Sequence, residues 1–430
     1  MKNPDVPTPD SKRPLSVLIA IDFLTYRSGA ELFVRDLAIG LRQRGYRVTV
    51  YAPQIGSLGD ELDAAGVARS TDLLHIADAP DLIIGNTRRA TVFALARFAG
   101  VPALSICHDA VHRHGEPPRF TRIHRYVAVD ANTRERLLAS GIAEHQIHMI
   151  QNGVDVRRYA QRARLPTRPR RAAIFSNYAT AGAETAAIAA ACAARGIALD
   201  MIGKESGNQA REPAGVLPQY DLIFAKARCA LEAMAVGCAV ILANEGMGMG
   251  EMVHSAQLPQ LRLWNFGRRL LRTPITSETV GAQIDRYDAQ DAARVSDSIR
   301  ASATLDMMVD AFAELARATL EQYAFDVPPA QEWRELAVYA SEEQAHGLTV
   351  QDCVWLLQRL QASADENLAA RAQAHTAQQD MSMLAGEARA AAAMRASLSW
   401  RITAPLRALG APLWRSMHRR KATAQADDAD

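Results

Sequence analysis

Two cationic side chains, Lys226 and Arg228, stand where a strand pattern gives way to a helix pattern in the segment FAKARCALEAMAVG (224–237). The first backbone amides of a helix have no partner inside it, so together with fixed positive charge they can hold a phosphate group. Glu232 follows Arg228 by four residues, on the same face of the helix. The segment predicts a diphosphate site. The same spacing also allows a helix ion pair between Arg228 and Glu232 beside a solvated Lys226.

Two loops nearer the amino terminus contain further candidates. In DFLTYRSGAE (22–31), Gly29 precedes a helical pattern and would let a backbone amide approach an anion, or it serves only the turn. In HDAVHRH (108–114), His108 directly follows a strand. We expect this histidine to donate to a substrate oxygen or carry a proton, or else to hydrogen-bond within its loop. The histidines come without matching Cys or carboxylate spacing, so no metal site is predicted.

A glycine-rich segment, EGMGMGE (245–251), contains Gly246, Gly248 and Gly250 and follows the strand pattern AVILA. A dinucleotide fingerprint needs the spacing G-x-G-x-x-G at the start of a helix. Here the spacing is G-x-G-x-G, late in the chain. We therefore expect a flexible loop on the substrate side instead of a nicotinamide site.

The elements that must position these residues alternate between strands and helices. Helical patterns separate apolar runs of strand length, which lie at 15–21, 47–52, 81–85, 101–107, 126–129, 172–175, 198–203, 221–224 and 239–243. Such alternation predicts an α/β fold with parallel sheets covered on both faces. A Pro- and Arg-rich stretch at 157–171 interrupts the rhythm and is typical of an inter-domain linker.

We therefore expect two α/β domains followed by a helical extension. The predicted segments are a leader at 1–13, a first domain at 14–160, a linker at 161–171, a second domain at 172–330, a helical extension at 331–394 and a basic, aromatic tail at 395–430. Helical periodicity at 276–323 is assigned to the second domain.

Composition excludes several classes of protein. The 430 residues are 49% hydrophobic and 22% charged, which fits a folded globular chain, and the net charge of +2 argues against a nucleic-acid binder. The five cysteines form no C-x-x-C pair, so a reducing cytoplasm is expected. The leader contains no apolar secretory core, and no run of about 18 apolar residues predicts a membrane span.

The stretch at 395–421 has seven Lys or Arg residues, Trp400, Trp414 and no acidic residue. A segment of this composition can lie on an anionic membrane surface, although a disordered basic end is the alternative.

Four motifs in order resemble those of the GT-B-fold glycosyltransferases of family 4. The motifs are SGAE at 28–31, RGYRVTVY at 44–51, IQNGVD at 150–155 and LEAMAVGCAVI at 231–241. The likeness covers roughly residues 15–323. In addition, SLSWRITAPLR at 397–407 is similar to tails of bacterial polysaccharide-assembly glycosyltransferases.

The resemblance implies two Rossmann-like domains that face a cleft, with a nucleotide-diphosphate sugar held mainly by the second and an acceptor by the first. It also implies transfer with retention of configuration and without a metal or other cofactor, because basic side chains and helix ends neutralise the departing diphosphate. By likeness, Glu232 would bond the ribose, Gly29 would lie near the phosphates and His108 near the donor sugar. The acceptor would be a cell-surface polysaccharide or a lipid-linked glycan, reached by a cytoplasmic protein at the inner face of the membrane.

Two departures from the family pattern keep other functions open. The glutamate expected eight residues before Glu232 is replaced by Phe224, and the expected Arg and Lys are missing from IFSNYATAG (174–182). A catalytically silent protein of the same fold, binding glycan or scaffolding its assembly, is therefore a second hypothesis. A nucleotide-sugar epimerase is a third, but no strong carboxylate pair supports it.

Overall fold

The computed structural model describes residues 13–208, 210, 212–323 and 327–344, without the side chains of His114, Pro329 and Gln344. The described residues form an α/β structure with two separate sheets, which confirms the predicted fold class. The leader before residue 13, the extension after residue 344 and the tail at 395–430 lie outside the described residues.

The first sheet is parallel and its central strands are buried. Within the described residues its strands are β1 (Ser16–Ala20), β2 (Arg47–Tyr51), β3 (Ala68–Ser70), β4 (Leu82–Gly85), β5 (Ala103–Cys107), β6 (Ile123–Ala128) and β7 (Ile147–Met149). They are ordered β3-β2-β1-β4-β5-β6-β7. From β1 the chain adds strands β2 and β3 on one side of the sheet and then crosses to add β4 to β7 on the other side. In sheets of this kind, ligands bind beyond the carboxyl ends of the strands where this change of side occurs, here between β1 and β4.

The second sheet is mostly parallel. Its strands in the described part of the chain are β8 (Arg171–Phe175), β9 (Ala198–Ile202), β10 (Leu222–Ala225), β11 (Ala239–Asn244) and β12 (Gly248–Met252). The order is β12-β11-β10-β8-β9, and β12 runs antiparallel to β11. In this sheet the change of side occurs between β8 and β10, so a ligand would be expected next to the loops that follow these two strands.

The helices cover the sheets and complete their cores. In the described residues they are α1 (Gly29–Gln43), α2 (Leu58–Ala64), α3 (Arg88–Arg97), α4 (Ala131–Ala139), α5 (Ala183–Ala193), α6 (Pro213–Val216), α7 (Ala227–Val236), α8 (Leu258–Leu263), α9 (Ser277–Ile284), α10 (Ala289–Ser302), α11 (Leu305–Gln322) and α12 (Pro329–Gln344). Helix α7 ends at Gly237, whose φ of +102° suits a residue without a side chain. None of these helices is both long and apolar enough to cross a membrane.

Helix α11 packs against the first sheet, and the assignment of 276–323 entirely to the second domain is wrong in this part. Val309 and Phe312 belong to the same core as the residues of β1 and α1. A Cβ on Gly40 of α1 would lie 2.5 Å from Val309, so the two helices approach closely because this residue is glycine. The Tyr46 hydroxyl also donates to the Ala313 carbonyl at 3.2 Å.

Helix α12 is the described beginning of the predicted extension. Its acidic side chains contact the part of the molecule built around the first sheet, which is called the first half below; the part built around the second sheet is the second half. Glu332 pairs with buried Arg122 at 2.8 Å, and Glu343 pairs with Arg113 at 3.0 Å. Arg122 also donates to the carbonyls at the end of α3, so it links that helix end to α12. The first half is therefore assembled from distant parts of the sequence.

Candidate active site

The loop after β1 is fixed by Glu31, in the first turn of α1. Its carboxylate accepts hydrogen bonds from the backbone amides of Thr25 at 2.6 Å and Ser28 at 2.7 Å, while the Ser28 hydroxyl caps the helix. Glu31 is buried, so these amides replace water around its charge. Gly29 begins the helix with no atom within 4 Å of an added Cβ, which leaves its backbone accessible.

A very short connection joins β10 to α7. Lys226 is the single residue between them, and Ala227 has a φ of +49° that is strained for a residue with a Cβ. Phe224 lies inside β10 and is 1% exposed. A carboxylate at position 224 would therefore lie in the core.

Arg228 bridges the two halves of the molecule. Its guanidinium donates to Asp36 of α1 at 2.6 Å and to Glu232 of α7 at 2.7 Å. Burial lowers the pKa of the half-buried Arg228, but the two carboxylates outweigh this effect and raise it. Arg228 thus lies in the groove as predicted, but its charge is shared by two acids, and the helix ion pair with Glu232 that the spacing allowed is present.

The bridge continues as a chain of alternating charges. Arg35 contacts Asp36 at 2.7 Å and Glu61 at 2.5 Å, and Glu61 also pairs with Arg27. Three arginines thus face three carboxylates from Glu232 to Arg27, so the chain is neutral overall. Asp36 and Arg35 were not predicted as site residues. Both are buried on the apolar face of α1, and a charged residue in such a place usually has a partner of opposite charge, which is the signal that could have identified them.

Lys226 precedes α7 and has no ion-pair partner among the described residues. Its ammonium donates to the Met247 sulfur at 3.2 Å, which is a weak acceptor. Burial lowers the pKa of Lys226, the Asp109 carboxylate raises it and Arg268 lowers it. Lys226 is therefore partly buried and is not the solvated side chain of the alternative interpretation.

His108 lies at the end of β5, where the sequence predicted it. Its Nε2 is 2.7 Å from Oδ1 of the buried Asn86, and its ring meets Phe33 edge-on with centroids 4.6 Å apart. Burial lowers the pKa of His108 to about 4 although the Asp109 charge opposes this, so the imidazole is neutral near pH 7. With Nε2 donating to Asn86, Nδ1 remains a hydrogen-bond acceptor.

Asp109 organises the loop that contains His108. Its carboxylate accepts from the Val111 amide at 2.6 Å, from the His112 amide at 2.9 Å and from His112 Nδ1 at 2.5 Å. These hydrogen bonds hold the pKa of Asp109 below its usual value, although burial acts in the opposite direction. The Asp109 charge opposes the lowering of the pKa by burial at both His108 and Lys226. Within the described residues, no group of three or more acids, Cys or His is arranged to hold a metal ion.

The glycine-rich segment forms a turn and a strand, so the expectation of a flexible substrate loop is wrong. Gly246 lies in the turn, while Gly248 and Gly250 lie in β12. A Cβ on Gly248 would be 2.7 Å from the Thr273 carbonyl oxygen, and one on Gly250 would be 2.8 Å from that of Leu270. The glycines therefore allow a close approach to the segment that packs on β12.

A cavity of about 90 Å³ lies between the two halves. Gly29 and Arg27 line it from the first half, and Asn177, Arg228 and Glu232 line it from the second. The structure thus brings together three predicted residues, with Lys226 adjacent to them in the chain. Ligand pockets usually measure ~300–1,000 Å³, so a nucleotide would have to widen this cavity by displacing contacts across it.

Comparison with known proteins agrees with this architecture. Residues 27–158 match the family described as Glycosyltransferase Family 4. A glycosyltransferase from Rickettsia africae has a similar structure, with a TM-score of 0.53 and 13% identity over 72% of this chain and 99% of that one. The Anabaena protein Alr3699/HepE, solved with UDP and glucose, has a TM-score of 0.52 and 14% identity over 71% of this chain and 100% of its own. No curated protein sequence matches the chain.

The family match and the fold together confirm the resemblance to GT-B glycosyltransferases of family 4. They support a glycosyltransferase function of the GT-B type. The low identities mean that the structural likeness concerns the fold, so the roles of individual residues depend on the site described above.

Proposed function

We propose that this protein transfers a sugar from a nucleotide-diphosphate sugar to a glycan acceptor, with retention of configuration and without a metal. The observation that carries the proposal is the cavity between the halves, where Glu232 and Arg228 of α7 face Gly29 at the start of α1. Glu232 would bind the ribose, and the amide at Gly29 would face the diphosphate. The Anabaena protein is solved with UDP-glucose, which makes UDP-sugars the first donors to test.

Positive charge in the cleft would stabilise the departing diphosphate. Lys226 contributes a cation that no described carboxylate neutralises. Arg228 would exchange Asp36 for a phosphate, because a doubly charged group competes well for a guanidinium. Such an exchange would also separate α1 from α7 and enlarge the cavity. Positive charge placed before the reaction lowers the barrier to loss of the diphosphate.

His108 would act at the reacting sugar as an acceptor. A neutral imidazole whose Nε2 is bonded to Asn86 presents Nδ1, so it can accept a sugar hydroxyl proton in a hydrogen bond. This differs from donation to a substrate oxygen, which is one of the roles that the sequence suggests for His108.

The test is release of nucleoside diphosphate and sugar transfer with a panel of nucleotide-sugars. The Glu232→Ala variant should lose at least about tenfold in kcat/KM, since a hydrogen bond to a charged group contributes ~1.5–3 kcal/mol. Glu314→Ala, which changes an exposed glutamate on α11, is the matched control. Turnover by Glu232→Ala equal to that of the control would contradict the assignment. Unchanged turnover in EDTA and the anomeric configuration of the product test the other two parts of the proposal.

A catalytically silent glycan-binding or scaffolding protein is the second candidate. Two observations favour it: Phe224 fills the core position of the missing glutamate, and Arg228 is occupied by two carboxylates. Calorimetry separates the candidates. Micromolar donor binding with nucleoside diphosphate release supports the enzyme, whereas absence of binding to every donor supports the scaffold.

We also propose that the acceptor is a surface-polysaccharide or lipid-linked glycan precursor at the inner face of the membrane. The basic and aromatic composition of 395–421 supports this location. Sedimentation of the full chain with vesicles of anionic or zwitterionic lipid tests it, and equal binding to the two kinds of vesicle would speak against an electrostatic attachment.

A further inference from the structure

A second groove lies between the two halves, where α4 and the loop after β5 face the segment 268–272. Its lining residues are Ala110, Val111, Asn132, Glu135, Arg136, Ala139, Arg268, Arg269 and Arg272. The groove measures about 610 Å³, within the usual range of ~300–1,000 Å³ for small-molecule sites. We call it the arginine groove.

The arginine groove contains four guanidinium groups and one carboxylate. Arg269 pairs with that carboxylate, Glu135, and its guanidinium lies 5.1 Å from the ring centre of Trp264. Arg136 donates to the backbone carbonyls of Asp109 at 2.7 Å and His112 at 2.8 Å. These two arginines are therefore held in place, and the loop at 109–112 is fixed to α4.

Arg268 and Arg272 are the cations available to a ligand. Arg272 donates to the Arg269 carbonyl at 2.8 Å, and within the part of the chain that the structure describes no carboxylate pairs with Arg268 or Arg272. Two guanidinium groups without acidic partners in a concave surface favour a phosphate or diphosphate, whose oxygens they can bind in pairs.

The rest of the groove has an apolar part. Val111 is 56% exposed, and Ala110 and Ala139 lie beside it in the lining. Apolar residues grouped in the lining of a concave site suit an alkyl group better than a second charged group. The groove thus combines anion-binding and apolar surfaces, as recognition of an anionic amphiphile requires.

The arginine groove adjoins the donor cavity at Lys226. The Ala227 amide, next in the chain to Lys226, donates to the Phe266 carbonyl at 2.9 Å, which places Lys226 near the segment that contains Arg268. Arg268 and Asp109, which precedes groove residue Ala110, also act on the Lys226 charge. Cys229, three residues after Lys226 in the chain, lines the donor cavity. A molecule in the groove would therefore approach the reacting end of a donor near Lys226 and His108.

We propose that the arginine groove binds the diphosphate of a lipid-linked acceptor, with Arg268 and Arg272 on the phosphates and Val111 against the first alkyl carbons. This assignment rests on the proposed glycosyltransferase function and names the chemical class of its acceptor. It also separates two diphosphates, that of the donor beside Arg228 and that of the acceptor beside Arg268.

Calorimetry of the full chain with geranyl diphosphate and with inorganic pyrophosphate, each with and without saturating UDP, tests the proposal. Geranyl diphosphate should bind at least about tenfold more tightly than pyrophosphate, because several of its CH₂ groups leave water on binding. The double variant Arg268→Gln/Arg272→Gln should lose at least about tenfold in affinity for geranyl diphosphate. Val111→Ser should reduce the preference over pyrophosphate. The control, Arg47→Gln/Arg294→Gln, removes two arginines that are exposed outside the groove and should bind like the unmodified protein.

Three results would overturn the proposal. They are unchanged binding by the groove double variant, equal affinity for geranyl diphosphate and pyrophosphate, and loss of geranyl diphosphate binding when UDP is present, which would assign the probe to the donor cavity. A different result would count against the donor function alone. If UDP and every nucleotide-sugar fail to bind while the groove variants behave as expected, the arginine groove would still be assigned as the site of the lipid-linked diphosphate.

Discussion

At the scale of single residues, charge pairing decides what each predicted site residue can do. Arg228 and Lys226 are separated by one residue, yet Arg228 contacts two carboxylates and Lys226 contacts a thioether. A sequence pattern shows only that two cations are near a helix start. The difference arises from Asp36, nearly two hundred residues away in the chain, which spacing within one motif does not reveal.

Removal of Arg228 should destabilise the protein. Arg228→Met leaves Glu232 and Asp36 buried with one cation fewer, and loss of one member of a buried ion pair costs about 3–5 kcal/mol. Urea unfolding measures the loss. Adding Asp36→Asn and Glu232→Gln to the same protein should recover a large part of it, because the uncompensated charges are then gone. A loss below about 1 kcal/mol for Arg228→Met would mean that the bridge is solvated.

The depressed pKa of His108 predicts a loss of stability in acid. In the folded chain the pKa is about 4, whereas an exposed histidine titrates near 6.5. Between these values the unfolded chain binds a proton that the folded chain does not, so this contribution is complete above pH 6.5 and disappears as the pH falls toward 4. It amounts to at most about 3.5 kcal/mol.

Urea unfolding at pH 7 and pH 4.5 checks this prediction with His108→Gln as the comparison. The glutamine keeps a polar group beside Asn86 but does not titrate, so the variant should lose less stability between the two pH values than the unmodified protein. Equal losses would show that other groups, Asp109 among them, account for the acid sensitivity.

At the scale of elements, long apolar runs were sufficient to predict most strands, and short polar ones were not. The runs at 15–21 and 239–243 correspond to β1 and β11 because continuous burial leaves a hydrophobic signal in the sequence. Strand β3 reads ARS, is largely exposed and lies at a sheet edge, so its hydrogen bonds rather than its side chains define it. Strand β12 was missed because its glycines suggested a loop.

The glycines of β12 provide a test at this scale. Gly248→Ala places a Cβ 2.7 Å from the Thr273 carbonyl and also requires alanine at a φ of +98°. Gly246→Ala meets only the second difficulty, since no atom lies within 4 Å of its Cβ and its φ is +72°. A residue in such a conformation costs about 1–3 kcal/mol. Gly248→Ala should therefore destabilise the protein clearly more than Gly246→Ala in thermal unfolding. Similar melting temperatures for the two would contradict the close contact with Thr273.

At the scale of the whole molecule, the first half depends on residues from the far end of the sequence. The α/β class followed from the alternating pattern, and the positions of Gly29 and His108 beyond the carboxyl ends of parallel strands followed from the strands that precede them in the sequence. Periodicity alone could not show which sheet α11 covers, because the apolar face of an amphipathic helix does not indicate which sheet it packs against. The core of the first half is therefore completed only after the second half has been synthesised.

This arrangement predicts that a change in α11 weakens the first half selectively. Phe312 is fully buried and its ring centre lies 5.7 Å from that of Phe33 of α1, so Phe312→Ala should cost about 3–5 kcal/mol. Met307, on the same helix, is 51% exposed, and Met307→Ala should change stability by less than about 0.5 kcal/mol. Hydrogen exchange shows where the effect falls: exchange in β1 and α1 should accelerate in Phe312→Ala, while β8 and β10 keep their protection. Acceleration confined to β8 and β10 would mean that α11 stabilises the second half, because a helix directly stabilises the core against which it packs.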